Sequence, residues 1–358
     1  MKCGVITFHN AINYGALFQT YALQKALMKV GVDAEVIDYH SKYIERIYRP
    51  GLSDIFSRLF VKRLAAAIIK NGTLSFNNRD FAEFSDKYIK KSAASYTSLS
   101  ELEETDYDLY ITGSDQVWSP YSASFDKAYF LDFVKGSSKK VSYAASFGVD
   151  DIPSELKDEY RTLLCDFSRI SVREKSGEKI VEELTGKSPS VLPDPTLLLS
   201  SDEWNELIQR DGEADGGYVL IYMIYEDNAL INAAKKYAAD RGLRILYIND
   251  RLKKASGVEN LRNVSPERWL SLLSSAVCVF TNSYHGTAFC INLGKDFLVS
   301  APPNQKTNTR LDSLTETYNI AYDEIISAEK NADLHEILAS QRKLGYEFLK
   351  DITKKNFI

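Results

Sequence analysis

The residues best placed to do chemistry lie in residues 277–288, where the apolar run Val277-Cys278-Val279-Phe280 leads into Thr281-Asn282-Ser283-Tyr284-His285-Gly286-Thr287. An apolar strand followed by a polar turn that starts a helix presents Ser283, Gly286 and Thr287 as hydroxyl and backbone N–H donors to an anion. Asn282 and Tyr284 belong to the same turn. At such a point His285 can donate to a phosphate or move a proton near neutral pH, which Lys and Arg do less readily. A lone His is often a hydrogen-bonded structural residue, but the strand end, the helix start and the hydroxyl-rich company together favour function. His9, His40 and His335 lack that company.

Three further segments end strand-like runs with polar groups. In Ile170-Ser171-Val172-Arg173-Glu174-Lys175, Arg173 sits at a strand end and Lys175 just before a helix. A guanidinium suits bidentate capture of phosphate or carboxylate, although Arg173 and Glu174 can equally form a surface ion pair. After Asp108-Leu109-Tyr110-Ile111-Thr112 comes Gly113-Ser114-Asp115-Gln116-Val117-Trp118. Ser114 and Gln116 put small and polar groups there, Asp115 can take a proton from a sugar hydroxyl, and Trp118 can offer an apolar platform to a sugar ring. An Asx-type turn is the competing reading of Asp115. The first strand runs into Asn10-Ala11-Ile12-Asn13-Tyr14-Gly15, a turn whose Asn13, Tyr14 and Gly15 are candidate substrate contacts, with a helix cap the equal reading of Asn13. One turn into that helix, Gln19 projects into an apolar face and is expected to reach a ligand cleft. Lys306 and Arg310, in the polar run Lys306-Thr307-Asn308-Thr309-Arg310, can close over an anion or simply be solvated.

The elements that must position these groups alternate. Strand-like runs occupy 3–8, 34–39, 107–112 and 141–146 in the first half, and 170–173, 218–224, 244–248, 277–281 and 297–300 in the second. Helical patterns occupy 14–30, 154–164, 228–241, 266–275 and 286–293. This order predicts an α/β fold of two Rossmann-like layers, residues 1–165 and 166–330, with a helical insertion over about 43–104 and a C-terminal helix, 331–358, packing back. Ligands of such sheets bind at the carboxyl ends of the strands, which predicts a cleft between the two layers that closes on its substrate.

Length and charge agree. A chain of 358 residues exceeds the usual size of one hydrophobic core, and 44% hydrophobic residues can fill two. The net charge of -5 and the scatter of basic residues among acids exclude a nucleic-acid partner. The first strand lacks G-x-G-x-x-G, and Asp38 alone is weak support for a ribose contact, which argues against a nicotinamide cofactor. No metal cluster is visible, and the four cysteines, spread far apart, read as reduced core residues. The N-terminus lacks a signal-peptide pattern, so a cytoplasmic protein is expected. The basic amphipathic run 55–64 suits transient contact with the inner membrane face or, more simply, packing on the first domain.

The ordered motifs Asn13-Tyr14-Gly15, Ile111-Thr112-Gly113-Ser114-Asp115-Gln116-Val117-Trp118, Ser142-Tyr143-Ala144-Ala145-Ser146-Phe147-Gly148, Ser171-Val172-Arg173-Glu174, Leu192-Pro193-Asp194-Pro195-Thr196 and Thr281-Asn282-Ser283-Tyr284-His285-Gly286 resemble the polysaccharide pyruvyl transferases. That resemblance implies the GT-B architecture of two-Rossmann glycosyltransferases, phosphoenolpyruvate as donor with no cofactor, and a polysaccharide precursor or lipid-linked sugar as acceptor of a pyruvate ketal. It also implies that Arg173 and His285 are donor-binding and catalytic, with Asp115 a cleft carboxylate. A nucleotide-sugar glycosyltransferase and an idle glycan-binding homologue are the competing readings.

Overall fold

The computed structural model describes residues 1–44, 78–121, 125–208, 217–250, 254–300 and 309–354. The helix expected over 55–64 and Lys306 lie outside these residues. Strands β1 (Lys2–Ile6), β2 (Asp33–Tyr39), β3 (Lys91–Tyr96), β4 (Leu109–Thr112) and β5 (Lys140–Ser142) form a parallel sheet in the order β3-β2-β1-β4-β5. A short parallel pair, β6 (Ser171–Val172) and β7 (Ser190–Val191), follows. The second sheet contains β8 (Tyr218–Tyr222), β9 (Arg244–Ile248), β10 (Glu259–Leu261), β11 (Cys278–Thr281), β12 (Phe297–Val299) and β13 (Ile325–Ile326). Its order is β10-β9-β8-β11-β12-β13, and β13 alone of these is antiparallel. Strands β4, β8 and β11 are buried throughout, as parallel strands covered on both faces must be.

The longer helices are α1 (Tyr14–Lys29), α2 (Asn78–Tyr88), α3 (Lys157–Cys165), α4 (Lys175–Thr185), α5 (Asn228–Ala239), α6 (Pro266–Ser275), α7 (Tyr284–Leu293), α8 (Thr309–Thr317) and α9 (Ala332–Ile352). Their starts follow local rules. Asn13, Asp227, Ser265 and Ser283 each accept from a first-turn backbone N–H, and Pro266 follows its cap. None of the helices among the described residues is long and apolar enough to cross a membrane.

Two features differ from the sequence expectation. The run 170–173, placed in the second half, extends the first layer instead. Arg169 bridges to Val141 and Val172 to Ala145, and Arg173 N–H donates to the Ala145 carbonyl. The α3 and α4 residues Tyr160, Leu164, Ile180 and Val181 share the core of Trp118, Phe130 and Phe147. The first layer therefore runs past residue 165, through β7, and the second sheet begins at Tyr218. In the segment read as helical, β3 adds an edge strand, because Lys91–Tyr96 carries no run of large apolar side chains by which the sequence alone could mark it.

The layers share one core. On α1, Tyr14, Leu17, Phe18 and Tyr21 pack with Phe81 and Phe84 of α2 against Trp204, Trp269 and Phe289. Tyr14 stacks on Trp269 with ring centroids 5.2 Å apart, and its hydroxyl donates to the Val264 carbonyl at 2.6 Å. Helix α9 straps both layers. Leu334 and Leu338 join the shared core, Leu349 and Ile352 pack with Cys3 and Val5, and Arg342 donates to Leu197, Leu199 and Asn292.

An interface this apolar opposes rotation of one layer against the other, because opening it would expose several large aromatics to water. The interface thus favours a cleft already formed over the closure on a ligand expected from the sequence. Small-angle scattering is predicted to give the same radius of gyration with and without phosphoenolpyruvate, the donor expected from the sequence, at a concentration where calorimetry detects its binding; compaction on binding would contradict this.

Candidate active site

In each sheet the strand order reverses once, between β1 and β4 and between β8 and β11. The carboxyl ends of these four strands face one another across a cavity of ≈ 280 Å³. Phe8, Asn13, Asp115 and Gln116 line it from the first layer, and Tyr222, Tyr225, Ser283, Tyr284, His285 and Arg310 from the second. This is where ligands of doubly wound sheets bind.

Beside this cavity lies a buried ionic cluster. The Asp194 carboxylate has no exposure, and the Arg173 side chain is 1% exposed. Arg173 Nη1 donates to Asp194 Oδ2 at 2.7 Å, and Ser114 Oγ donates to the same oxygen at 3.0 Å. Thr196 donates to Oδ1 through its N–H and its hydroxyl, at 3.0 and 2.8 Å. Burial alone would raise the Asp194 carboxyl, but the His285 ring, Arg173 and the Thr196 N–H outweigh it and hold Asp194 well below the usual carboxylate range. Burial likewise works against the Arg173 charge, yet Tyr284 and the carboxylates of Asp194, Glu174 and Asp115 raise it above the ordinary arginine value.

The other edge of the guanidinium faces two carboxylates at longer range. Arg173 Nε and Nη2 are buried without a hydrogen bond, with Glu174 at 3.7 Å and Asp115 at 4.0 Å. Arg173 lies over the Tyr284 ring at 4.6 Å. The ion pair with Glu174 expected from the sequence is present at 3.7 Å but buried rather than on the surface, and Glu174 also accepts, on its other oxygen, from Ser146 Oγ and the N–H groups of Phe147 and Gly148, which fixes that loop. Arg310 brings a second cation to the cavity, lowered from its ordinary value by desolvation and by Arg173, and its buried Nε also lacks a partner.

His285 stands at the start of α7 with Nε2 3.6 Å from Asp194 Oδ2 and Tyr284 edge-on at 5.1 Å. A methyl group built at Gly15 would lie 1.9 Å from His285 Nδ1, so glycine is required there because the imidazole fills the space. Ser283 caps α7 by accepting from Gly286 N–H. Asn282 ties down the loop after β8, accepting from Ile224 N–H at 2.9 Å and donating to the Tyr225 carbonyl. Asn13 lines the cavity while capping α1. Asp115, with φ of 79°, lines the cavity and also accepts from Gln116 N–H, so the turn and the cleft position coexist. Among the described residues no group of three or more His, Cys, Asp and Glu could hold a metal ion.

Several residues read as ligand contacts from the sequence are structural. Tyr14 belongs to the shared core. Gln19 is buried inside the first layer, donating to Thr7 Oγ1 and the Ala16 carbonyl, because its helix face turns to β1 rather than to the cleft. Trp118 is fully buried, stacks on Phe130 and donates to the Tyr129 carbonyl, so no sugar reaches it. Lys175 makes an exposed ion pair with Glu316. Thr287 donates back to the Ser283 carbonyl, and the Gly286 N–H is taken by the cap. Ser114 reaches the cluster rather than the cavity. Asp194, at the centre of this cluster, is the position that the chemical reading missed. Its signal was a polar residue between Pro193 and Pro195 just after a short strand.

Away from the cavity, Asp38 accepts from His9 Nε2 at 2.8 Å and from Ser95, and His40 Nε2 lies 3.2 Å away. Three donors thus face its carboxylate. Burial would raise its carboxyl, but the bonds from His40, His9 and Ser95 hold it well below the usual range.

Two predictions follow from this geometry. Gly15→Ala is expected to leave the fold intact by circular dichroism while displacing His285, lowering turnover by about 10²-fold or more, as ångström-scale misplacement of a reacting group does; normal turnover would contradict it. Carboxyls titrate near pH 4 when unfolded, and Asp38 and Asp194 are held lower in the fold, so their stabilisation is complete above about pH 5 and is lost as the pH falls further. Urea unfolding from pH 7 to 3 should show stability falling below pH 5, and a flat profile would contradict the assignment.

Several known proteins are similar to this chain. Among solved structures, the S. aureus MnaA–UDP complex is 12% identical with a TM-score of 0.50, covering 98% of this chain and 90% of that one. UDP-GlcNAc 2-epimerase from Neisseria meningitidis bound to UDP-GlcNAc is 12% identical with a TM-score of 0.48, covering 100% and 95%. The E. coli heptosyltransferase WaaC with ADP is 16% identical with a TM-score of 0.40, covering 87% and 90%. At these identities the likeness concerns the fold alone, and the S. aureus structure supports two Rossmann-like layers facing across a cleft, the GT-B arrangement. No curated protein matches the chain. The sequence model of one family, however, matches residues 13–302, a span that runs from the cap of α1 past Asp115, Arg173, Asp194 and His285. The chain belongs to the polysaccharide pyruvyl transferase family.

Proposed function

We propose that the protein transfers pyruvate from phosphoenolpyruvate to two hydroxyls of one sugar in a glycan or lipid-linked precursor, forming a ketal and releasing phosphate. The observation that carries this reading is the cationic edge beside the cavity: Arg173 Nε and Nη2, and Arg310 Nε, are buried donors that make no hydrogen bond, with only the more distant carboxylates of Glu174 and Asp115 facing Arg173. Leaving such donors unmet is costly, and a phosphate or carboxylate meets two at once on one guanidinium edge.

In this reading Arg173 and Arg310 hold the donor's anionic groups, and His285 protonates its methylene carbon. The C=C π pair forms the new C–H bond, and C2 becomes electron-deficient. A sugar hydroxyl adds to C2, losing its proton to Asp115. The bond from C2 to the phosphate oxygen then breaks, phosphate leaves with the electron pair, and the neighbouring hydroxyl closes the ring. Of the two hydroxyl protons, one replaces the proton given to the methyl carbon and the other leaves with phosphate. Positive groups already aimed at the departing phosphate supply stabilisation without reorganisation. Asn13, Gln116, Ser283 and Tyr225 offer the acceptor hydrogen bonds across the cavity.

Calorimetry tests the donor directly. Phosphoenolpyruvate is expected to bind and UDP-N-acetylglucosamine not to; the reverse result would replace the reading with a nucleotide-sugar enzyme. Arg173→Lys, which keeps charge but loses the fork, should weaken phosphoenolpyruvate binding by about 1–3 kcal/mol. His285→Gln should bind the donor nearly as well while turnover falls about 10² to 10⁴-fold.

A further inference from the structure

We infer that Asp194 is the positioning residue for His285, holding the imidazole with Nε2 toward its own Oδ2, so that Nδ1 is the nitrogen that passes the proton to substrate. This rests on the reading of His285 as the general acid and adds which atom acts and what fixes it.

The carboxylate cannot turn. Thr196 occupies Oδ1 twice, and Arg173 Nη1 and Ser114 Oγ occupy Oδ2. His285 Nε2 lies 3.6 Å from that same oxygen, is sealed from solvent and makes no hydrogen bond in the unliganded protein. A buried N–H beside a carboxylate, long in the unliganded protein, is the contact that shortens when the ring takes a charge. On the opposite side of the ring Nδ1 packs against Gly15, which makes room for it by having no side chain, and the ring lines the cavity with the neighbouring Asn13 and Ala16. Nε2 is thus turned to the buried Asp194, and Nδ1 to the first turn of α1 at the cavity wall. The remaining charged groups near the ring are Arg173, stacked on Tyr284, and Asp115 and Arg310, which line the cavity with it.

The step balances on these atoms. In the doubly protonated ring the Nδ1–H bond breaks as the methylene C–H bond forms, and the ring is left neutral with its proton on Nε2, facing Asp194. The proton that Asp115 takes from the acceptor hydroxyl then passes to Nδ1, which restores both groups. A carboxylate that holds the tautomer in this way acts through the imidazole and touches no substrate.

The test is nitrogen NMR of protein labelled with ¹⁵N-histidine, in which only four histidines report and His285→Gln assigns the signal. At a pH where the ring is neutral, His285 is expected to carry its proton on Nε2, with Nδ1 giving the shift of an unprotonated nitrogen. A proton on Nδ1 would overturn the inference. In Asp194→Asn the Nε2-protonated form should lose its dominance, with kcat falling at least about 100-fold, the loss typical of a misdirected catalytic histidine. An unchanged tautomer in a folded Asp194→Asn protein would also overturn it. The wild-type spectrum stands if that variant fails to fold. Normal turnover in His285→Gln would instead overturn the general-acid reading alone, because the tautomer is measured without catalysis.

Discussion

The arrangement depends on one buried pair, the Asp194 carboxylate and the Arg173 guanidinium. Removing two charges from water costs several kcal/mol each unless both are met by well-placed groups. Here the partners come from four places in the chain: Ser114 after β4, Arg173 after β6, Asp194 and Thr196 after β7, and His285 after β11. The pair is satisfied only when these strand ends stand in register. That requirement explains why the short β6–β7 segment continues the first layer rather than opening the second, since it delivers Arg173 and Asp194 behind the cavity.

A rigid frame follows from the shared aromatic core. Tyr14, Phe18, Trp204, Trp269 and Phe289 join the two layers, and α9 ties them a second time. The position next to Tyr14 is Gly15, against which His285 packs. The residue that locks the layers and the residue that admits the imidazole are therefore neighbours on the first turn of α1. Structural and chemical constraints are joined there, which accounts for a motif whose members seemed to contact ligand but divide their work.

Much of this was legible in the sequence. Strand ends followed by polar turns marked Asp115, Arg173 and His285, because parallel sheets bring carboxyl ends together, and apolar runs marked most buried strands. The failures share a cause. Trp118, Gln19 and Tyr14 have side chains that suit either a cleft or a core, and only tertiary packing decides which. Asp194 escaped because a carboxylate between two prolines reads as a turn; its role lies in contacts with residues 21 and 80 positions away. Strand β3 escaped because an edge strand of Ser and Ala carries little apolar signal.

The central claim is that the Nε–Nη2 edge of Arg173, with Arg310 and His285, receives the anionic donor. The most direct measurement is a crystal structure of the protein soaked with phosphoenolpyruvate. The account predicts the donor's phosphate or carboxylate within hydrogen-bonding distance of Arg173 Nε or Nη2, Arg310 beside it, and the methylene carbon facing His285 Nδ1. Donor bound elsewhere, with the Arg173 edge still unmet, would contradict it.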